Sequence, residues 1–393
     1  MLTEERIIIR DINSDIKDES CKKDKILLVL YYISILLIGS IMVSYLIGIL
    51  VSLHKASNVN ILLMIFVLII SLVVSYYCHI IVHELGHIIM GKLTGYHYHS
   101  YRIFSIMILK EDGKWKIKKY AAPGSLGQAI MIPPEKKEGK YPWFLYNAGG
   151  GLINIILGLM ALVIYISVPG LPVIIDVVLY CFFMIGILLG FMNLFPLPFT
   201  LMMNDGSCMV TLHKDEIARD CFYKQLYTVG QLAQNKSYKD MPLEYYQLPE
   251  GANYENLLIS SRKIHELEYY YDIEDYSSAI KLLNETVYIP GIAKGLRLSL
   301  ELERLFFECM HEPRKEIVEQ ICTKELLALL LQGRDMVDMQ RIHMAYEGLY
   351  NKNYEKANMH YERAIMLLEK YPMNGIANIE RRFLKMVKDK IGK

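Results

Sequence analysis

Apolar positions along this chain follow two different patterns. Up to about residue 200 they run in long unbroken stretches, at roughly 26–52, 60–90, 147–169 and 172–199. Each stretch is long enough for the ~20 residues that cross a bilayer as a helix, so four transmembrane helices are expected. Between the second and third stretches the pattern changes. YRIFSIMILKEDGKWKIKKY (101–120) reads as two strands joined at Asp112-Gly113, a hairpin signal, and GSLGQAIMIPP (124–134) adds a short extended piece. From about residue 206 apolar residues recur at helical spacing among tyrosines, methionines and charges. Tyr276-Ser-Ser-Ala279 and Tyr354-Glu-Lys-Ala357 sit there in similar contexts. The second lies in AYEGLYNKNYEKANMHYERAI, which resembles a tetratricopeptide helix pair; a repeat-like domain and a plain helical bundle both fit.

The expected fold is therefore an all-α polytopic membrane protein with a small membrane-associated β-hairpin region and a helical cytoplasmic domain. Its parts are a cytoplasmic segment over 1–25, a membrane-embedded domain over 26–205 and the helical domain over 206–393.

Charge sets the orientation. Arg6, Arg10, Lys17, Lys22, Lys23 and Lys25 precede the first stretch, and only Lys55 follows it. The long loop carries Lys92, Arg102, Lys110, Lys114, Lys116, Lys118, Lys119, Lys136, Lys137 and Lys140. The positive-inside rule then places both termini and this loop in the cytoplasm of a multi-pass cell-membrane protein. The formal net charge is only +1, which gives no reason to expect a nucleic-acid partner. Seven scattered cysteines without a CxxC pair read as reduced thiols. The polar, mixed-charge start shows no secretory signal pattern.

One apolar stretch carries chemistry. HIIVHELGHIIM (79–90) places His83-Glu84-Leu85-Gly86-His87, an H-E-x-x-H motif, near the end of the second expected span. Positions i and i+4 share a helix face, so His83 and His87 are spaced to hold one Zn²⁺ at ~2.0–2.1 Å. Glu84, beside them, suits a general base that takes a proton from a zinc-acidified water. In a soluble helix such a pattern is usually solvated surface. Here it lies between IIV and IIMGKL, where ionisable groups are costly and mark function. Asn60 is ~35 Å of helix away, which puts His83 close to the cytoplasmic face.

A third ligand is needed, and several residues are candidates. Glu111 lies in the expected hairpin turn, and His97 and His99 lie at alternate positions of an expected strand, hence on one face. His79, one turn before His83, would strain a tetrahedron and reads better as a supporting or packing histidine. Asp205-Gly206 follows NLFPLPFTLMM (193–203), where Pro196 and Pro198 break the fourth span. Broken helices at membrane depth are tolerated where they line a cavity.

H-E-x-x-H in one span and Asn193-Leu-Phe-Pro196 followed by Asp205-Gly206 in a later one resemble the site-2 protease family of intramembrane zinc metalloproteases, in its bacterial form. Asn147-Ala-Gly-Gly-Gly-Leu-Ile-Asn154 is similar to that family's small-residue segment, with Gly150, Asn154 and Gly158 on one face for close helix packing. The resemblance covers roughly residues 60–206. It departs in the FTLMMN insert between Pro198 and Asp205, in GGG where the family often has a proline, and in lacking a PDZ-like domain.

The resemblance implies that His83, His87 and Asp205 hold Zn²⁺ and that Glu84 is the catalytic base. Asn154 and Asn193 are candidates for positioning substrate, or equally for interhelical hydrogen bonds. The implied substrate is a membrane-embedded peptide or single-span protein, unwound and cut near the cytoplasmic face. Strand edges around 101–132 could hold it by β-addition. The helical domain offers no chemistry and is expected to bind a protein partner or regulate. Two alternatives remain. One is a catalytically silent peptide-binding or immunity protein on the same fold, against which the retained Glu84 argues. The other is a transporter, which four spans without an inverted repeat disfavour.

Overall fold

A computed structural model describes residues 3–10, 22–57, 60–111, 114–120, 125–197 and 203–392. Four long helices lead the chain: α1 (Lys22–Ser57), α2 (Ile61–Leu93), α3 (Trp143–Ser167) and α4 (Val173–Leu194). Four strands, β1 (His97–Ile103), β2 (Ile106–Glu111), β3 (Lys114–Lys119) and β4 (Gly127–Ile132), lie between α2 and α3. A short helix, α5 (Asp205–Lys214), follows α4. The remainder is helical: α6 (Glu216–Ala233), α7 (Leu257–Ser260), α8 (Arg262–Asp272), α9 (Tyr276–Thr286), α10 (Lys294–Met310), α11 (Lys315–Ile321), α12 (Lys324–Gln332), α13 (Val337–Ala345), α14 (Tyr354–Leu368) and α15 (Asn374–Ile391). The contacts divide the chain into two compact units. One comprises Asp18–Ile103 and Leu126–Lys214, the other Met1–Lys17, Phe104–Ser125 and Asp215–Lys393. The chain leaves the first unit at Phe104, a residue with positive φ (52°).

In the first unit, α1 to α4 are each long and apolar enough to cross a membrane. Their outward residues, among them Leu36, Leu62, Phe66 and Val163, remain exposed, a surface that suits lipid and not water. Asn60 caps α2, accepting the Leu62 N–H at 2.8 Å. Gly95, at φ +88°, turns the chain out of that helix. The last helix stops earlier than its hydropathy suggests. The sequence predicts a span to 199, but α4 ends at Leu194 and Phe195 is extended. The residue before a proline is driven out of the α region, and Pro196 is next. Pro198 lies outside the described residues. In α3 the helix starts at Trp143, ahead of the expected 147, directly after Pro142.

The polar loop holds more strand than the sequence suggests. The expected first strand is split at Phe104-Ser105 into β1 and β2. β1 pairs antiparallel with β4, with a register shift between Tyr98 and Ser100. His99 is thus the extra residue of a bulge, which breaks the alternation expected for it and His97. His97 is exposed and His99 buried. In the second unit β2 pairs antiparallel with β3, from Ile106↔Lys119 to Glu111↔Lys114. The expected turn, Asp112-Gly113, lies outside the described residues.

The helices of the second unit surround an aromatic core of Tyr271, Phe306, Phe307 and Phe383. Arg341 lies over the rings of Phe306 and Phe383 at 4.2 and 4.9 Å, held by Glu303 and Glu380 at 2.7 and 2.9 Å. The two Tyr-x-x-Ala stretches occupy matching places. Glu274 and Lys352 take positive φ (63° and 56°). Asp275 and Asn353 then cap the next helix through the Ser278 and Lys356 N–H groups, and Ala279 and Ala357 are buried. Each stretch therefore turns the chain into the second helix of a hairpin.

Candidate metal centre

On α2, one helical turn separates His83 from His87, and their Nε2 atoms lie 3.3 Å apart. Asp205 enters from the start of α5, with Oδ2 at 3.3 Å from His83 Nε2 and 3.5 Å from His87 Nε2. These are the only three metal-ligating side chains found grouped this way among the described residues. The other third-ligand candidates, Glu111, His97 and His99, are not in the group. Burial holds the His99 imidazole down at about 4, so it is neutral at ordinary pH.

Hydrogen bonds around the group decide which atoms carry protons. His87 Nδ1 faces the Tyr146 carbonyl at 2.7 Å. A carbonyl only accepts, so Nδ1 carries the proton and the neutral ring leaves Nε2 bare. The same logic reaches His83 through two steps. His79 Nε2 faces the Phe182 carbonyl at 2.9 Å, so this nitrogen donates and His79 Nδ1 accepts. In the structure Asn154 Oδ1 lies 3.2 Å from His79 Nδ1 and its Nδ2 lies 3.2 Å from His83 Nδ1. An asparagine amide turns over without changing shape, and its partners fix which end is nitrogen. Turned over, the amide puts its NH₂ on His79 and its carbonyl oxygen on His83, the orientation that a proton on His79 Nε2 requires. In that turned-over orientation His83 Nδ1 donates to Asn154, and its Nε2 is bare as well.

With both rings neutral, three lone-pair atoms therefore converge on one point. Asp205 Oδ2 is buried and accepts no hydrogen bond among the described residues. Such a cluster is unfavourable unless a cation or a proton sits among its atoms. A cation at its centre removes the conflict. A tetrahedron with bonds of ~2.0–2.1 Å has edges of ~3.3–3.4 Å, matching the observed 3.3, 3.3 and 3.5 Å. The donor set, two imidazoles and one carboxylate, suits zinc, and one vertex remains for water or substrate.

Glycine makes the room. A Cβ on Gly150 would fall 2.5 Å from His83 Nε2 and 2.6 Å from His87 Nε2, in the space the ion needs. On either side of it, Gly149 meets the backbone of Gly86 on α2, and Gly151 meets Leu194 on α4. Three consecutive residues, ~100° apart on the helix, thus face three different neighbours. Glu84 lies beside Gly127 of β4, where a Cβ would come within 2.6 Å of its carboxylate.

Asp205 is placed by a residue that sequence reasoning passed over. Asn204 donates its amide N–H groups to Met192 O at 2.9 Å and Phe195 O at 2.7 Å, carbonyls at the broken end of α4. Its Oδ1 accepts the Ser207 N–H at 2.9 Å and caps α5. The Ser207 hydroxyl donates to Leu197 O. Gly206 packs so close that a Cβ would strike Leu194 O. The signal was legible: an asparagine three residues before a serine, at a helix start. Asn193, by contrast, donates its amide to Leu189 O within its own helix. Arg102, counted above as a loop charge, is fully buried on β1.

Asn154 therefore acts on His83 in this arrangement. Asn154→Ala is expected to lower zinc affinity 10–100-fold, as loss of a ligand's outer partner does, while the fold persists. Competition of the purified variant against a zinc indicator reads this directly.

No protein-family model, curated protein or solved structure matches this chain.

Proposed function

We propose that this chain is a zinc-dependent intramembrane endopeptidase of the site-2 protease kind. The observation that carries the reading is the convergence of His83, His87 and Asp205, at zinc-like spacing with bare donor atoms, beside Glu84 on an apolar helix. On this reading α1 to α4 all span the membrane, with both termini cytoplasmic.

When bound, zinc supplies the acidity that makes water a nucleophile at neutral pH and the positive charge that polarises a peptide carbonyl. The protein does the rest. His83, His87 and Asp205 hold the ion, and Asn154 and Tyr146 O fix the imidazole tautomers. Glu84 accepts the proton of the attacking water and returns it to the leaving amine. The substrate is a membrane-embedded peptide or a single-span protein, because the site opens from an apolar helix and a helical peptide must unwind to be cut. The helical hairpins of the second unit are read as a tetratricopeptide-like module for a protein partner.

The test is cleavage of a purified single-span peptide in detergent, with products mapped by mass spectrometry. The reading requires an internal cut that the wild type makes and the Glu84→Gln variant does not. An uncut peptide across a panel of such substrates, with zinc bound, would favour the silent peptide-binding alternative.

A further inference from the structure

Residues Thr3–Arg10 are not in regular secondary structure, yet side chains from the second unit hold six of their backbone groups. Asn284, near the end of α9, grips the segment twice: its Oδ1 accepts the Ile8 N–H at 3.0 Å and its Nδ2 donates to Arg6 O at 2.8 Å. The Tyr288 hydroxyl accepts the Arg10 N–H at 3.0 Å and meets Ile8 O at 3.1 Å. Arg314 donates to Ile7 O at 2.6 Å, and Arg304 donates to Ile8 O. His311 Nε2 meets Thr3 O at 3.1 Å. In an extended chain alternate side chains point the same way. Accordingly Ile7 is buried in the core and Ile9 packs against it, while Ile8 and Arg10 face outward.

The gripping groups are themselves held by carboxylates. Arg304 places Nη1 on both Glu301 oxygens at 2.8 and 2.7 Å and directs Nη2 to Ile8 O and to the Tyr288 hydroxyl. Arg314 is clamped by Glu308, which is fully buried. Carboxylates thus hold two guanidinium groups in position, each with an N–H aimed at a peptide carbonyl. Arg6 adds an ion pair to Glu308 at 3.8 Å. Contacts to backbone read an extended shape, and the Arg6, Ile7 and Ile9 positions read side chains. This is how peptide-recognition grooves are built.

We propose that the groove of α9, α10 and the turn into α11 is a recognition site for an extended peptide from another protein. That peptide carries a basic residue followed by aliphatic residues at the first and third positions after it. Residues 3–10 occupy the groove in cis and compete with the partner, at the high effective concentration that covalent linkage gives. The inference is independent of the zinc reading, since all groups named lie in the second unit.

The probe is a fluorescent synthetic peptide of residues 3–10, added to the full-length protein in detergent. An Ile7→Asp/Ile9→Asp variant ejects its own segment and leaves the groove open. The peptide is expected to bind this variant at least tenfold more tightly than the wild type. Adding Asn284→Ala should weaken that binding at least tenfold, and a peptide with aspartate at both isoleucines should not bind. Trypsin supplies a second readout on the unaltered chain. Excess peptide should speed cleavage at Arg6 and Arg10, and the aspartate peptide should not. Absence of both binding and accelerated cleavage overturns the proposal. So does a stable dimer in which copies exchange segments while free peptide is ignored.

Discussion

Glu84→Gln is expected to retain about one zinc per chain and to lose 10²–10⁴-fold in hydrolysis, the range typical of a removed general base. That is about 2.7–5.4 kcal/mol of transition-state stabilisation. Zinc is expected to survive because the proposed ligand atoms belong to His83, His87 and Asp205, and glutamine keeps nearly the shape of glutamate beside Gly127. Hydrolysis fails because an amide takes up no proton at neutral pH. The pair of readouts, metal content and turnover on one sample, separates loss of the base from loss of the site. A variant with wild-type turnover would remove Glu84 from the chemistry.

Gly150→Ala is the second large effect, and it runs the other way. A methyl group at this position would sit 2.5 Å from His83 Nε2 and 2.6 Å from His87 Nε2. Neither imidazole can retreat freely, since each is tied by its Nδ1 to Asn154 or Tyr146. The methyl therefore occupies the ion's place. Zinc content is expected to fall well below half of wild type and activity with it, while helix content by circular dichroism stays unchanged. Gly48 is the control: it lies on α1 with open space around it, and Gly48→Ala should be silent in both assays.

The four long apolar helices and the His83/His87 pairing were legible because each is a short-range pattern. Length and hydropathy mark a span, and i, i+4 spacing puts two side chains on one face. Asp205 was reachable only through its Pro…Asp-Gly context. Its placement depends on Asn204 bridging the end of α4 and the start of α5, which no periodicity announces. The bulge at His99 was hidden for a similar reason. Alternation assumes an unbroken ladder, and the register shift comes from pairing with β4. Arg102 counted as a loop charge until the strand carrying it proved buried. The grip on residues 3–10 was invisible, because Asn284 lies 276 positions beyond the Ile8 N–H it accepts. Polar residues on an amphipathic helix look solvated until their partner is placed beside them.

The central claim is a three-ligand zinc site, and metal content tests it most directly. Wild-type protein purified in detergent should carry about one zinc per chain, and Asp205→Ala should lose most of it. Zinc retained in full by the Asp205→Ala variant, or no zinc in well-folded wild type, would contradict the account.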